Sequence, residues 1–186
     1  MKLLIILSAL VLTCTAFADA VDEVRCREIA FSKSVEAQDL SAFTLFIDAD
    51  ARFVGNSALH GPEAIAEAWA AFFAEDGPLI KWRPRFVEVL EDGKLALTRG
   101  PYRMITHDDE GVETEHWGTF NSVWRLHDDG MWRVVFDAGS DSDEAPADEV
   151  KALLDQVHDC ETQQKMGWTM GLEPTTTGIT TRGSTN

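Results

Sequence analysis

The stretch WRVVFDAG, residues 132–139, sets an acid directly behind a run of bulky apolar residues. Asp137 has two settings open to it: water at a strand end, or a pocket built under the sheet. In a pocket, desolvation raises a carboxyl pKa and suits it to proton transfer near neutrality. The alternative is structural: a carboxylate holding a tryptophan, an arginine or a backbone amide. An acid/base group needs a partner, and the candidates are Tyr102, His116, Trp82 and Asp50. Tyr102, the only tyrosine of the chain, could donate a hydrogen bond to a ligand carbonyl or simply pack. His116 precedes Trp117-Gly118 and could reach a cavity mouth, although a lone histidine is ordinarily a surface or core residue. Asp50 suits a turn or cap. The five histidines are scattered, no HxxxH or CxxC spacing occurs, and the acidic DSDEAPADE stretch lacks the glycine of a calcium loop. No metal or cofactor is expected.

These residues need a scaffold, and the periodicity supplies one. Asp22 to Gln38 reads as a helix, with Val24, Glu28, Phe31 and Val35 on one stripe. Asp39 can cap a short helix over Leu40 to Phe46. A strand over Ala51 to Val54 ends at Gly55-Asn56, and Gly61-Pro62 opens a third helix carrying Ile65, Trp69, Phe72 and Phe73 inward. The period then changes to two. Strands are expected over Ile80 to Leu90, Lys94 to Thr106, Glu113 to Leu126 and Met131 to Ala138, joined by turns that pair acids with glycine. Helices first and an antiparallel meander after make an α+β domain. An acidic linker, 140–145, leads to an amphipathic helix over 146–166 with Val150, Leu153, Leu154, Val157 and Cys160 on one stripe.

The chain has 186 residues and a formal net charge of −16. That excess of acid argues against nucleic acid and anionic lipid as partners. Lys2, an apolar run from Leu3 to Leu12 and Ala16-Phe17-Ala18 read as a signal peptide over 1–18, so the expected location is secreted or periplasmic, with no membrane partner after cleavage. Cleavage leaves two cysteines, Cys26 and Cys160, and an oxidising compartment favours a disulfide between them over two buried thiols. The Thr- and Gly-rich end, 167–186, has no apolar period and is expected to be disordered. Its GLEP and STN segments resemble the reverse strand of a transfer-RNA gene. That suggests a reading frame running into a neighbouring gene, which the genomic DNA would refute if no such gene lies opposite.

The order of elements, with particular residues, points to a family. EIAFSKSVEAQDLSAFTLFIDADARFVGNSALHGPEAIAEAW resembles the opening of SnoaL-like domains of the nuclear-transport-factor-two-like superfamily, and LALTRGPY and GTFNSVWRLHDDGMWRVVFDAG resemble their later hairpins. The likeness covers about Arg25 to Gly139, within a domain of 19–139. It implies a cone-shaped roll: a curved antiparallel sheet wrapped around the N-terminal helix over an apolar cavity. A cavity needs small residues on the concave face with aromatics between them. Ala96, Thr98, Gly100 and Tyr102 share one face of their strand, and Gly118, Phe120, Ser122 and Trp124 share one face of the next. The opposite expectation is that these residues serve curvature alone and the interior is packed shut. In SnoaL-like cyclases an acid near the end of the last strand has an acid/base role, and that acid would be Asp137. In steroid isomerases of this fold the general base follows the Asp-Ala step, a position held here by Gly55, so steroid isomerisation is not expected. Arg99 and Arg103 leave an epoxide-hydrolase-like Asp-Arg-Asp set open.

The leading expectation is an exported domain whose apolar pocket takes a small hydrophobic or carbonyl-bearing ligand, lined by Trp69, Trp82, Ala96, Thr98, Gly100, Phe120 and Trp124. The first alternative is a cofactor-free isomerase, cyclase or dehydratase using Asp137 with Tyr102 or His116. The second is an interaction module forming a homodimer through the outer sheet face, where Trp117, Thr119, Val123 and Arg125 would lie.

Overall fold

A computed structural model describes residues 4–108, 110–158 and 160, with side chains from residue 20 onward. Helix α1 spans Leu4–Glu36, so it begins well before the expected Asp22 and runs through the segment read as a signal peptide. It ends where Gln38 takes a positive φ of 55°. There the amides of Gln38 and Asp39 turn back to the carbonyls of Val35 and Ser34, the usual left-handed closure of a helix. Asp39 then caps α2, Leu40–Leu45, by accepting a hydrogen bond from the Ala42 amide at 2.9 Å, as the sequence predicts. Strand β1, Ile47–Val54, is longer than expected, and a short β2, Ala58–His60, pairs with it. Helix α3, Gly61–Trp69, has Pro62 in its first turn and passes into a 3-10 turn over Ala70–Phe73.

The stretch expected as one strand over Ile80 to Leu90 is two. Strands β3, Leu79–Trp82, and β4, Phe86–Val89, both pair with β5, Leu95–His107. Between them Arg83-Pro84-Arg85 crosses over Gly100. A Cβ at Gly100 would run into the Arg83 carbonyl, so that glycine makes room for backbone. Strands β6, Glu113–Leu126, and β7, Trp132–Ser142, complete the meander. The order is β2-β1-β7-β6-β5-β3, with β4 beside β3 along β5. The β1–β7 pairing is parallel, an exception to the antiparallel sheet the sequence predicts. The domain is the expected α+β roll, with the curved sheet packed on α1.

The core is aromatic. The Phe31 ring of α1 lies 5.0 Å from Phe43, 5.3 Å from Trp82 and 5.9 Å from Trp124, ring centre to ring centre. Burial of this cluster supplies the main stabilisation of the fold.

Two boundaries at the C-terminal side differ from expectation. Strand β7 takes in Ser140 to Ser142 of the supposed linker. Helix α4, Asp148–Leu153, is six residues long rather than spanning 146–166. The chain turns after Leu154, which is buried, and Val157 is 96% exposed, so the apolar stripe does not extend past that turn. The turn brings Cys160 to Cys26, and the two form a disulfide with Cα atoms 5.5 Å apart across a separation of 134 residues. The tail at 167–186 lies outside the described residues, as does the end of the expected helix at 161–166. Among the described residues no helix is long and apolar enough to cross a membrane.

Candidate functional site

The face taken by Asp137 is set by one surplus residue. Along β7, Val123 of β6 pairs with Phe136, but the next residue, Trp124, pairs with Val134. Val135 is the extra residue of a bulge, which breaks the alternation of faces. Val134 and Val135 are both buried, Phe136 is 51% exposed, and Asp137 turns inward. There it lies opposite Ser122, which in turn lies opposite Thr98. A row of three polar residues thus crosses β5, β6 and β7 on the inner face of the sheet.

Beneath that row lies a residue the sequence reading left inside an apolar stripe. Glu28 of α1 is fully buried. Trp82 Nε1 donates to its Oε1 at 2.6 Å, while Trp124 Nε1 at 2.7 Å and the Thr98 hydroxyl at 2.5 Å both donate to Oε2. The Ser122 hydroxyl, near enough to favour the ionised form of this carboxyl, gives its own hydrogen bond to Asp137. Burial raises the Glu28 pKa, and hydrogen bonding offsets only part of that rise. The visible signal in the sequence was an acid at a core position of α1; its donors come from three separate strands.

Asp137 accepts a hydrogen bond from the Ser122 hydroxyl at 2.7 Å. The residue is half-buried, yet its carboxyl is desolvated. Desolvation pushes its pKa up to about 7; the Ser122 hydrogen bond opposes the rise and the charge of Glu28 adds to it. A carboxyl of this kind can give or take a proton near neutrality.

The expected partners of Asp137 lie elsewhere. Tyr102 sits further along the inner face and donates its hydroxyl hydrogen bond to Asp141, four residues beyond Asp137. Its ring lies over Gly118, where a Cβ would collide with it. Burial and the Asp141 carboxylate push the Tyr102 pKa upward. His116 is exposed and pairs with the Thr106 hydroxyl at 3.0 Å. It lines an open groove of about 590 Å³ with Met104, Glu115 and Asp141, and Asp137 is not part of that groove. Asp50 forms a surface ion pair with Arg52 at 2.8 Å.

Of the expected ligand contacts, Trp82, Ala96, Thr98, Phe120 and Trp124 are all buried in the core, and Trp69 packs against it. Gly100 is covered on its inner side by the Arg83–Arg85 crossing. Arg99 bonds Asn121 at 2.8 Å and Arg103 approaches Glu115 at 3.5 Å. Both alternate with Thr98 along β5 and so face away from Asp137, which leaves no Asp-Arg-Asp set around it among the described residues.

Three solved structures share this architecture. A nuclear-transport-factor-2-like protein with a cystatin-like fold from Novosphingobium aromaticivorans is 22% identical, with 84% of this chain and 99% of that chain covered at a TM-score of 0.57. A nuclear transport factor 2 superfamily protein from Salmonella enterica serovar Typhimurium is 17% identical, with 71% and 97% covered and a TM-score of 0.57. A ketosteroid isomerase-like protein from Erwinia carotovora atroseptica is 18% identical, with 67% and 96% covered and a TM-score of 0.56. At such identities the likeness is one of fold. No curated protein matches the sequence. The family model for the SnoaL-like domain matches residues 29–135, the span from the later part of α1 to the bulge before Asp137, and the chain belongs to that family.

Proposed function

We propose that the inner face of the sheet at Asp137 receives a small apolar, carbonyl-bearing molecule and exchanges a proton with it without a cofactor. One observation carries this reading. Asp137 is turned inward by the Val135 bulge, is partly accessible, and has a desolvated carboxyl held by a single hydroxyl. A purely structural aspartate would be expected to satisfy more of its acceptor sites with fixed donors, as Glu28 does. The ketosteroid isomerase-like name of one structural neighbour is compatible with proton transfer at a carbon next to a carbonyl. The position of the steroid-isomerase base is Gly55 here, so any such chemistry would rest on Asp137.

The test uses the oxidised protein in heavy water with 2-tetralone and cyclohexanone as probes, following loss of the α-proton signals by NMR. Asp137→Asn is expected to lower the exchange rate about 100-fold or more. Equal exchange by wild type and Asp137→Asn would remove the proposal. The Cys26–Cys160 disulfide and the signal-like start support export from the cytoplasm. Mass spectrometry of exported protein should then find Asp19 as the first residue, and an intact Met1 would contradict it.

A second reading rests on the outer face. Leu97, Val123 and Phe136 form one row across β5, β6 and β7, with Leu97 43% and Phe136 51% exposed. A second copy of the chain packed there would cover them. Trp117, one of the residues expected on such an interface, is already buried within the chain, at 7% exposure. Light scattering after gel filtration distinguishes a dimer that Phe136→Glu dissociates from a monomer in both forms; the latter would exclude the interface.

A further inference from the structure

Glu28 and Asp137 are two carboxyl groups that act on one another and have the Ser122 hydroxyl as a common neighbour. We propose that Glu28 is the fixed anion of this pair, so that Asp137 carries the proton and meets a ligand as a general acid. This rests on the proton-transfer reading of Asp137 and assigns Glu28 as the residue that sets its starting state.

The assignment follows from counting protons. An indole N–H can only donate. Trp82 and Trp124 therefore require Glu28 to accept at both Oε1 and Oε2, which they reach at 2.6 and 2.7 Å. The Thr98 hydroxyl, also on Oε2 at 2.5 Å, adds a third donor. A proton on Glu28 would need an acceptor of its own, and the two indoles that face it cannot serve as one. Among the described residues Asp137 has one hydrogen-bond partner, the Ser122 hydroxyl at 2.7 Å. A hydroxyl can rotate, so that contact can also run the other way. With Asp137 protonated, its O–H donates to Ser122 Oγ and Ser122 donates to Glu28. One proton then satisfies the whole row. With both groups ionised, the single Ser122 proton must serve two anions.

The surrounding charges do not disturb this order. One and two turns on from Glu28 along α1, Ser32 and Glu36 hold Arg83 at 2.9 and 2.7 Å, while Arg27 donates to the Trp132 carbonyl at 3.0 Å and Arg25 to the Pro84 carbonyl at 3.1 Å. Strand β1 places Phe53 opposite Asp137, β3 offers the Trp82 indole, β5 offers Thr98 and β6 offers Ser122. Among the described residues the charge that bears on Asp137 is that of Glu28, and it acts to hold the proton there.

The two oxygens of one carboxyl can span a carbonyl oxygen and the hydrogen on the adjacent carbon. When a ligand binds, the Asp137 O–H turns from Ser122 Oγ to the carbonyl oxygen and gives its proton there, leaving the Ser122 hydroxyl on Glu28. The other Asp137 oxygen takes the proton from the adjacent carbon as that C–H bond breaks and the C=C bond of the enol forms. Asp137 ends protonated again, and no co-reactant is needed.

The test is a carboxyl-carbon NMR titration of the wild-type oxidised protein, with Glu28→Gln as the variant. In wild type, the Glu28 side chain is expected to be ionised at a pH where Asp137 is still protonated. In Glu28→Gln the Asp137 midpoint should fall by about one unit, a tenfold weaker hold on the proton. The 2-tetralone exchange rate should decline as pH rises through the Asp137 midpoint; a base would show the reverse. If Glu28 holds the proton while Asp137 is ionised, the inferred order is overturned, and this wild-type result stands even if Glu28→Gln does not fold. An unchanged Asp137 midpoint in a folded Glu28→Gln overturns it too. If Asp137 titrates like an ordinary surface carboxyl, the proton-transfer reading falls as well. If the order holds but no ketone exchanges, only that reading falls.

Discussion

Asp137 and Asp141 stand four residues apart on the inner face of β7, and they do different things. Asp137 enters the packed interior, where Ser122 holds it and Glu28 lies beneath. Asp141 sits at the rim, accepts from Tyr102 and lines an open groove with His116. Residue type, strand and face are shared. The difference is depth: at the inner site a missing partner leaves polar groups stranded away from water, while at the rim water can replace it.

That contrast yields a ranked set of outcomes. The largest effect is expected from Glu28→Ala. It would strand two indole N–H groups and a hydroxyl in the core, costing about 3–5 kcal/mol in urea unfolding. A loss under about 1 kcal/mol would mean that water or a shift of α1 takes over the role of Glu28.

The next effect is one of pH. The folded chain holds the Asp137 proton up to about 7, whereas an unfolded aspartate releases it near 3.9. The folded state therefore binds more protons across that window. The contribution of this group to stability is complete below about pH 4 and declines as pH rises to about 7, by roughly 2–4 kcal/mol. Asp137→Asn should flatten this slope in unfolding midpoints compared across the same window. An identical slope in the variant would place the titration on another group.

The smallest effect is expected at the rim. Tyr102→Phe removes an exposed hydrogen bond to Asp141 and leaves the ring on Gly118. The expected cost is about 0.5–1 kcal/mol by the same unfolding measurement. A cost equal to that of Glu28→Ala would erase the distinction between the two sites.

Much of the scaffold could be read from local pattern. Asp39 caps α2, Pro62 opens α3, and the turns at Gly93, Gly111 and Gly130 all use positive φ, because each is a matter of a few neighbouring residues. The faces of β5 and β6 followed from strict alternation, so Thr98, Ser122 and Trp124 were placed correctly on the inner side. Their partner was not visible. Glu28 lay in plain view on the stripe of Val24, Phe31 and Val35, but its donors come from positions 54, 70 and 96 residues away. No local pattern links residues at such separations. The break after Trp82 was missed for a related reason: the room at Gly100 read as space for a ligand until the Arg83–Arg85 crossing filled it. The tie of Cys160 to Cys26 followed from the cysteine count, whereas the end of α4 after six residues did not show in its apolar stripe.

The surplus residue at Val135 makes β7 a matter of parity. Counted without it, the alternation that buries Trp132 and Val134 would also bury Phe136 and turn Asp137 outward to water. Substitutions leave that count alone, whereas an insertion or deletion of one residue between Trp132 and Asp137 changes it. The same letters, in the same order, would then describe a sheet with a greasy interior and an acid on its surface. Chain length, counted odd or even over a few residues, carries as much of the chemistry here as the identity of the acid itself.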